Sequence, residues 1–323
     1  FIMPNYQGVW SLSEQYQNAS GWPDATAGTA VFGGGVDASG RATVIQFVSL
    51  ESAGNTSDFG DLTAERTGFG GFSSATRGVF AGGDGSGGSS SNVIDFITFS
   101  SAGNATDFGD LLAANQQCNS CSNDTRGLVS GGFVSSARTD VIQYATIASA
   151  SNTTDFGDLT VARMTFGSTS STTRGLFAGG TITSGNARSN IIDYVTIASA
   201  GNALDFGDLV TATKTFPSGV SSGTRAVFGG GDDSGGKTNA MQYVTISSTG
   251  NTLDFGNLSS ARDGTAPASS KTLGLFAGGS TGSNVNTIDQ ITISSTGNST
   301  DFGDLLAALT SAAGCSSSHG GIA

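Results

Sequence analysis

The sequence predicts an all-β protein, a six-bladed β-propeller closed by pairing of its N- and C-terminal strands, and three observations carry that prediction. The pentapeptide Asp-Phe-Gly-Asp-Leu begins at Asp58, Asp107, Asp155, Asp205 and Asp301, and with one change, Asn257, at Asp254. A short apolar run closed by a Gly pair falls at Gly33-Gly34, Gly82-Gly83, Gly131-Gly132, Gly179-Gly180, Gly229-Gly230 and Gly278-Gly279. Both signals recur every 47 to 50 residues, and a fixed period of that size is the mark of a radial array of small sheets. No segment sustains a 3.6-residue apolar period, so a helical solenoid does not fit.

Each unit reads as a succession of strands. In the fourth, Thr173 to Ala178 leads to Gly179-Gly180, and after a loop the segment Asn190 to Ile197 is rich in β-branched and aromatic residues. Ile192 and Tyr194 fall on one face of that strand, and Ile191, Val195 and Ile197 on the other. Both faces need burial, which is the situation of a sheet held between two neighbours, and a ring of such sheets leaves only short edges. Ala200-Gly201-Asn202 then reads as a turn in which Gly-Asn supplies a positive φ, as it does at Gly54-Asn55, Gly103-Asn104, Gly250-Asn251 and Gly297-Asn298. Asp-Phe-Gly-Asp-Leu follows as a short strand or strand end.

The two ends of the chain are complementary. Leu305 to Ser318 matches the start of a further unit, whereas Gly28 to Gly34 begins in the middle of one. The C-terminal strand is therefore expected to complete the first blade, giving a propeller over 27–323. Residues 1–26 differ in composition and carry both tryptophans, Trp10 and Trp22, with Phe1, Ile2 and Tyr16. They are expected to form a strap on the propeller or a connection to a neighbouring subunit, because these side chains would otherwise expose apolar area.

Composition narrows the function. The 323 residues include 50 Gly, 12% charged residues and a formal net charge of -12, with the basic residues scattered. A scattered basic complement gives no phosphate-tracking surface, so nucleic acid is not an expected partner. No run of 18 or more apolar residues occurs, so membrane insertion by a helix is not expected either.

The chemistry-bearing motifs are sparse. Asp58 with Asp61, and its five counterparts, could offer oxygens to calcium, but two carboxylates fall short of the six to eight oxygens calcium takes. These carboxylates are expected instead to bond turn amides or to pair with Arg66, Arg163 or Arg262 downstream. Cys118, Cys121, Cys315 and the single His319 do not suggest a four-ligand zinc site; a Cys118–Cys121 disulfide and small buried or channel-lining thiols are the other readings. The Gly pairs have neither a following helix nor a Walker lysine, so they are not phosphate loops. No metal, cofactor or catalytic residue is expected, and the chain reads as a non-enzyme.

The units differ most after the Gly pair, at Asp84 to Ser91, Phe133 to Asp140, Thr181 to Asn190, Gly231 to Asn239 and Ser280 to Asn286. These loops are expected on one side of the ring as a candidate ligand-binding rim, with Asp84, Arg138, Arg188, Asp232, Asp233 and Lys237 as its charged members.

An apolar strand ending in Gly-Gly, a strand with an aromatic such as Tyr144 or Tyr194, and a later aromatic such as Phe156 or Phe206 together resemble the Kelch repeat over about residues 27 to 323. The Kelch tryptophan is absent, and a Phe stands in its place. Units reading Thr-Arg-Gly-Leu-Phe-Ala-Gly-Gly, Ile-Ile-Asp-Tyr-Val-Thr-Ile and Gly-Asn-Ala-Thr-Asp-Phe-Gly-Asp-Leu resemble the propeller repeats of phage tail-fibre and other virion proteins, and Gly8 to Gln17 resembles the segment that precedes them. That resemblance implies an appendage at a virion surface or otherwise outside the cell. Its expected partners are other virion or filament subunits, as a homo-oligomer, and a host surface glycan or protein. A subunit of a bacterial filament or surface layer is the alternative, and a secreted carbohydrate-active enzyme a third.

Overall fold

A computed structural model describes residues 28–182, 187–213 and 217–322. The proposed strap at 1–26 therefore lies outside the described residues. Six antiparallel blades stand around a common axis, each built on four strands, with two further short strands joined to the sheet of the fourth. The innermost strands, in ring order, are Ala313–Ser316, Gly70–Ser73, Asn119–Ser122, Gly167–Ser170, Ser218–Ser221 and Ala266–Ser269, and each packs against the next until the first meets the last. Closure follows the sequence expectation. Ala313–Ser316 pairs antiparallel with Thr29–Gly33, with Cys315 opposite Val31, so one blade is built from both chain ends.

The core is divided into six slabs, each lying between two blades. Cys121, Leu128, Ile142, Phe156 and Leu159 of the third blade, for example, pack on Phe166, Phe177, Val195 and Ile197 of the fourth. The slab that joins the last blade to the first sets Phe302, Leu305 and Leu309 against Ala30, Phe32 and Val48. This arrangement explains the two-faced apolarity of the strands: each sheet has no solvent face except at its outer edge.

Asp-Phe-Gly-Asp is the body of each outermost strand, with a β-bulge inside it. In the first blade Ile45 pairs Gly60 while Gln46 pairs Asp58, which leaves Phe59 as the extra residue. The other five blades repeat this shift at Phe108, Phe156, Phe206, Phe255 and Phe302. A bulge re-aims a side chain, and here it turns the Phe inward to 2–4% exposure. The following Gly meets its neighbour so closely that a Cβ on Gly157 would lie 2.5 Å from the Gly201 carbonyl of the next blade.

Two sequence expectations need correction. In the first and fifth blades the left-handed pair is Gly34-Gly35 and Gly230-Gly231, one residue later than read, because a third Gly precedes it as the last residue of the strand. The turn Asn, which follows a Gly in five blades and Ser151 in the third, does not serve a positive φ. Its Oδ1 accepts the N–H at the end of the preceding blade's Asp-Phe-Gly-Asp, from Asp61 to Asn104, Asp110 to Asn152, Asp158 to Asn202, Asp208 to Asn251, Asn257 to Asn298 and Asp304 to Asn55. Asn is the required residue because it joins two blades, and the donor is a backbone amide, which is why Asn257 can replace Asp.

Candidate functional site

The connections after the Gly pairs gather on one face, several as two-residue hairpins such as Val36–Asp37 with Gly40–Arg41 and Asp232–Asp233 with Gly236–Lys237. Their charged residues are tied to one another around the ring. Arg41 pairs with Asp84 at 2.7 Å, Arg188 pairs with Asp232 at 2.5 Å, and Lys237 pairs with Asp263. Arg41 and Arg188 also donate to the backbone carbonyl of the same aspartate, and Asn284 donates to the Val36 carbonyl across the closure. Asp233 holds its own hairpin by accepting from the Gly235 amide at 2.7 Å. Arg138 occupies the corresponding hairpin of the third blade. Of the predicted rim residues, Asp84, Arg188, Asp232 and Lys237 thus act as latches between neighbouring loops. Their partly exposed pairing is worth little per pair in free energy, but it fixes loop position.

Under this face a second set of pairs is buried. Arg163 donates to Asp193 at 2.7 Å and to the Phe177 carbonyl, and Arg262 lies 3.0 Å from Asp289; Arg66 pairs with Asp95 in the same way. All six side chains are at most 2% exposed. Burial pulls the guanidinium pKa values down and the adjacent carboxylates raise them. The sequence reading gave these arginines to the Asp-Phe-Gly-Asp carboxylates. The structure gives them to aspartates on the third strand of the following blade, since each arginine lies on the connection leading into that blade.

In the other three blades the Asp position holds Gln46, Gln143 or Gln242, and the Arg position holds Leu309, Asn115 or Thr213. The glutamine oxygen accepts from Thr56, Thr153 or Thr252 of its own blade and from the Leu306, Leu112 or Val210 amide of the preceding one. Alternate blades therefore use different chemistry, and the ring has three two-blade units.

The axial channel is lined by hydroxyls and is narrow, with a cavity of about 80 Å³. That holds two or three waters, at roughly 30 Å³ each, and is below the ~300 Å³ of small-molecule pockets. One serine from each of five blades ties the inner strands together. Ser73 donates to the Ser316 carbonyl, Ser122 to Ser73, Ser170 to Ser122, Ser221 to Ser170 and Ser316 to Ser269, at 2.5–2.7 Å. The Ser221 carbonyl instead receives the Gly320 amide of the C-terminal tail.

That tail crosses the end of the channel opposite the loop rim. His319 Nδ1 accepts from the Gly321 amide at 3.0 Å, which leaves the proton on Nε2, 3.2 Å from the Ser73 carbonyl and from Ser122 Oγ. Burial lowers the pKa of His319 to about 4. Cys118, Cys121 and Cys315 are free and buried, so the disulfide alternative falls; burial pushes Cys118 up to about 11 and Cys315 to about 12. Among the described residues no group of three or more His, Cys, Asp or Glu converges on a metal position.

No protein-family model matches the chain. No curated protein matches it at a significant level. What the geometry offers is a rigid polar rim on a closed ring, with a channel too narrow for an organic ligand.

Proposed function

We propose that this chain is a non-enzymatic module of a phage tail fibre or other virion appendage, which presents the rim of inter-strand loops to a surface glycan or protein. The observation that carries the proposal is the latched rim. Loops that differ in sequence from blade to blade are held in fixed relation by Arg41–Asp84, Arg188–Asp232 and Lys237–Asp263. Variable loops on an invariant scaffold are how binding specificity is varied without refolding the support, and a pre-ordered surface loses less entropy on binding. The resemblance of the repeats to those of virion appendages favours the same reading.

The test is binding of the intact protein to host-surface extracts and a glycan array, with each rim loop replaced in turn by the short loop of the last blade, Ser280 to Asn286. Binding that is lost with one or two loops supports the proposal. Binding that survives every replacement removes the rim from it, and turnover of a glycan would remove the non-enzymatic reading.

A second reading, a subunit of an extracellular filament or surface layer, is favoured by three exposed aliphatic side chains. Leu112, Val210 and Leu306 are 55%, 68% and 55% exposed, and all three occupy the same repeat position in alternate blades, just after the Asp-Phe-Gly-Asp-Leu segment. Exposed apolar groups repeated with threefold regularity suit a contact with further subunits.

A further inference from the structure

The sixth blade departs from all five siblings at one position and from four of them at an adjacent one, where the first blade has Thr29. Where five blades carry an aromatic on the third strand, Phe47, Phe96, Tyr144, Tyr194 or Tyr243, the sixth carries Gln290. In five blades that ring meets the bulge phenylalanine edge to face. In four of them the face of the ring is covered by Arg77, Arg126, Arg174 or Arg225, at 4.5–4.8 Å from guanidinium to ring centroid. Each arginine also donates to a carbonyl of the next blade, as Arg225 does to Ile293. The sixth blade has Leu273 at that position. Ring and guanidinium are both missing, and a cleft of about 270 Å³ is lined by Leu273, Gln290 and Thr300, the register partner of Gln290.

We propose that this cleft binds one neutral sugar ring, such as a hexose unit of a glycan. It lies by the turns of the third and fourth strands, on the face opposite the loop rim. Its size is a little under that of ordinary small-molecule pockets, about 300 Å³ and up, which suits a single ring. The lining contains no charged side chain: Thr292, Ser295, Asn298 and Thr300 supply hydroxyl and carboxamide groups, and Phe255 and Ile291, at 2% and 4% exposure, form an apolar floor. Gln290 donates through Nε2 to the Asp301 carbonyl at 3.2 Å, which leaves its amide oxygen without a hydrogen-bond partner among the described residues. A pyranose fits this combination because its hydroxyls both donate and accept while its C–H face lies on apolar atoms. A charged ligand would find no counter-ion, and an aromatic side chain would leave the carboxamide oxygen unpaired at a cost.

This inference rests on the proposed recognition of surface glycans, but places a site away from the rim. The test titrates the intact, isotopically labelled protein with neutral hexoses and N-acetylhexosamines and follows backbone amide shifts, with affinity in the millimolar range expected for so small a ligand. The expected result is saturable shifts at Gln290, Thr292, Asn298 and Thr300 for at least one sugar. They should be lost in the double variant Leu273→Arg with Gln290→Tyr, which restores the sibling pair and fills the cleft; Gln290→Phe alone is the second variant should the first fail to fold. No shifts with any neutral sugar, or shifts unchanged in a folded filled variant, would overturn the proposal even where the rim experiment shows surface binding. Shifts that vanish on filling uphold it even where every rim replacement leaves surface binding intact.

Discussion

At the scale of single residues, repeated positions are explained by what they touch in the next blade. Gly157 has φ 144° and no room for a Cβ against Gly201. Gly157→Ala is expected to destabilise the fold by at least the ~1–3 kcal/mol of a strained backbone position, read by denaturant melts. Asn202→Ala should cost about 1 kcal/mol, one hydrogen bond between blades, and leave the bulge intact. The Gly and Asn were legible in the sequence as repeated residues, but the reason assigned to Asn was local, because a turn can be read from five residues and an inter-blade bond cannot. His319 offers a pH test. Its folded pKa, about 4, is below the ordinary 6.5, so the docked tail favours the neutral ring; that contribution is complete above about 6.5 and is lost as pH falls towards 4. His319→Gln should abolish this part of the pH dependence of Gly320 and Gly321 amide protection, measured by hydrogen exchange at pH 7 and pH 4. The buried thiols, with pKa values raised by desolvation, should ignore a thiol reagent in the native protein and react fully once it is unfolded.

At the scale of the element, the third strand decides which chemistry joins two blades. Arg163→Leu alone leaves Asp193 charged, buried and unpaired, and is expected to cost about 3–5 kcal/mol. Adding Asp193→Gln reproduces the Leu309 and Gln46 combination found natively where the ring closes. The double variant should therefore recover most of the loss, and equal instability of the single and double variants would contradict the account. This alternation was present in the sequence all along: Arg66, Arg163 and Arg262 are 97 and 99 residues apart, twice the repeat. Aligning units singly hides it, because the arginine is separated by about thirty residues from the aspartate it serves and lies on the far side of two strands and a Gly pair. The loop latches were hidden for the same reason, since Arg188 and Asp232 belong to different units. The strands, their order and the role of the Gly pairs were legible because they depend on residues close together in the chain.

At the scale of the molecule, closure makes the ring one cooperative unit. A repeat array with free ends frays from them, whereas here Ala313–Ser316 supplies the inner strand of the first blade and Phe302 and Leu309 seal the last slab. That closure was readable from the incomplete units at the two ends. The channel plug was not, because the contacts of His319 with Ser73 and Ser122 join residues about 200 or more positions apart in the chain. Three two-blade units with exposed Leu112, Val210 and Leu306 give the second reading a contact for further copies, whereas the first keeps the loop rim free for a ligand. Electron microscopy of the native assembly, at a resolution that places this chain, tests this most directly. The account predicts propellers attached to a tail or capsid with the loop rim turned outward. Continuous filaments built from this chain alone, with the rim buried between subunits, would contradict it.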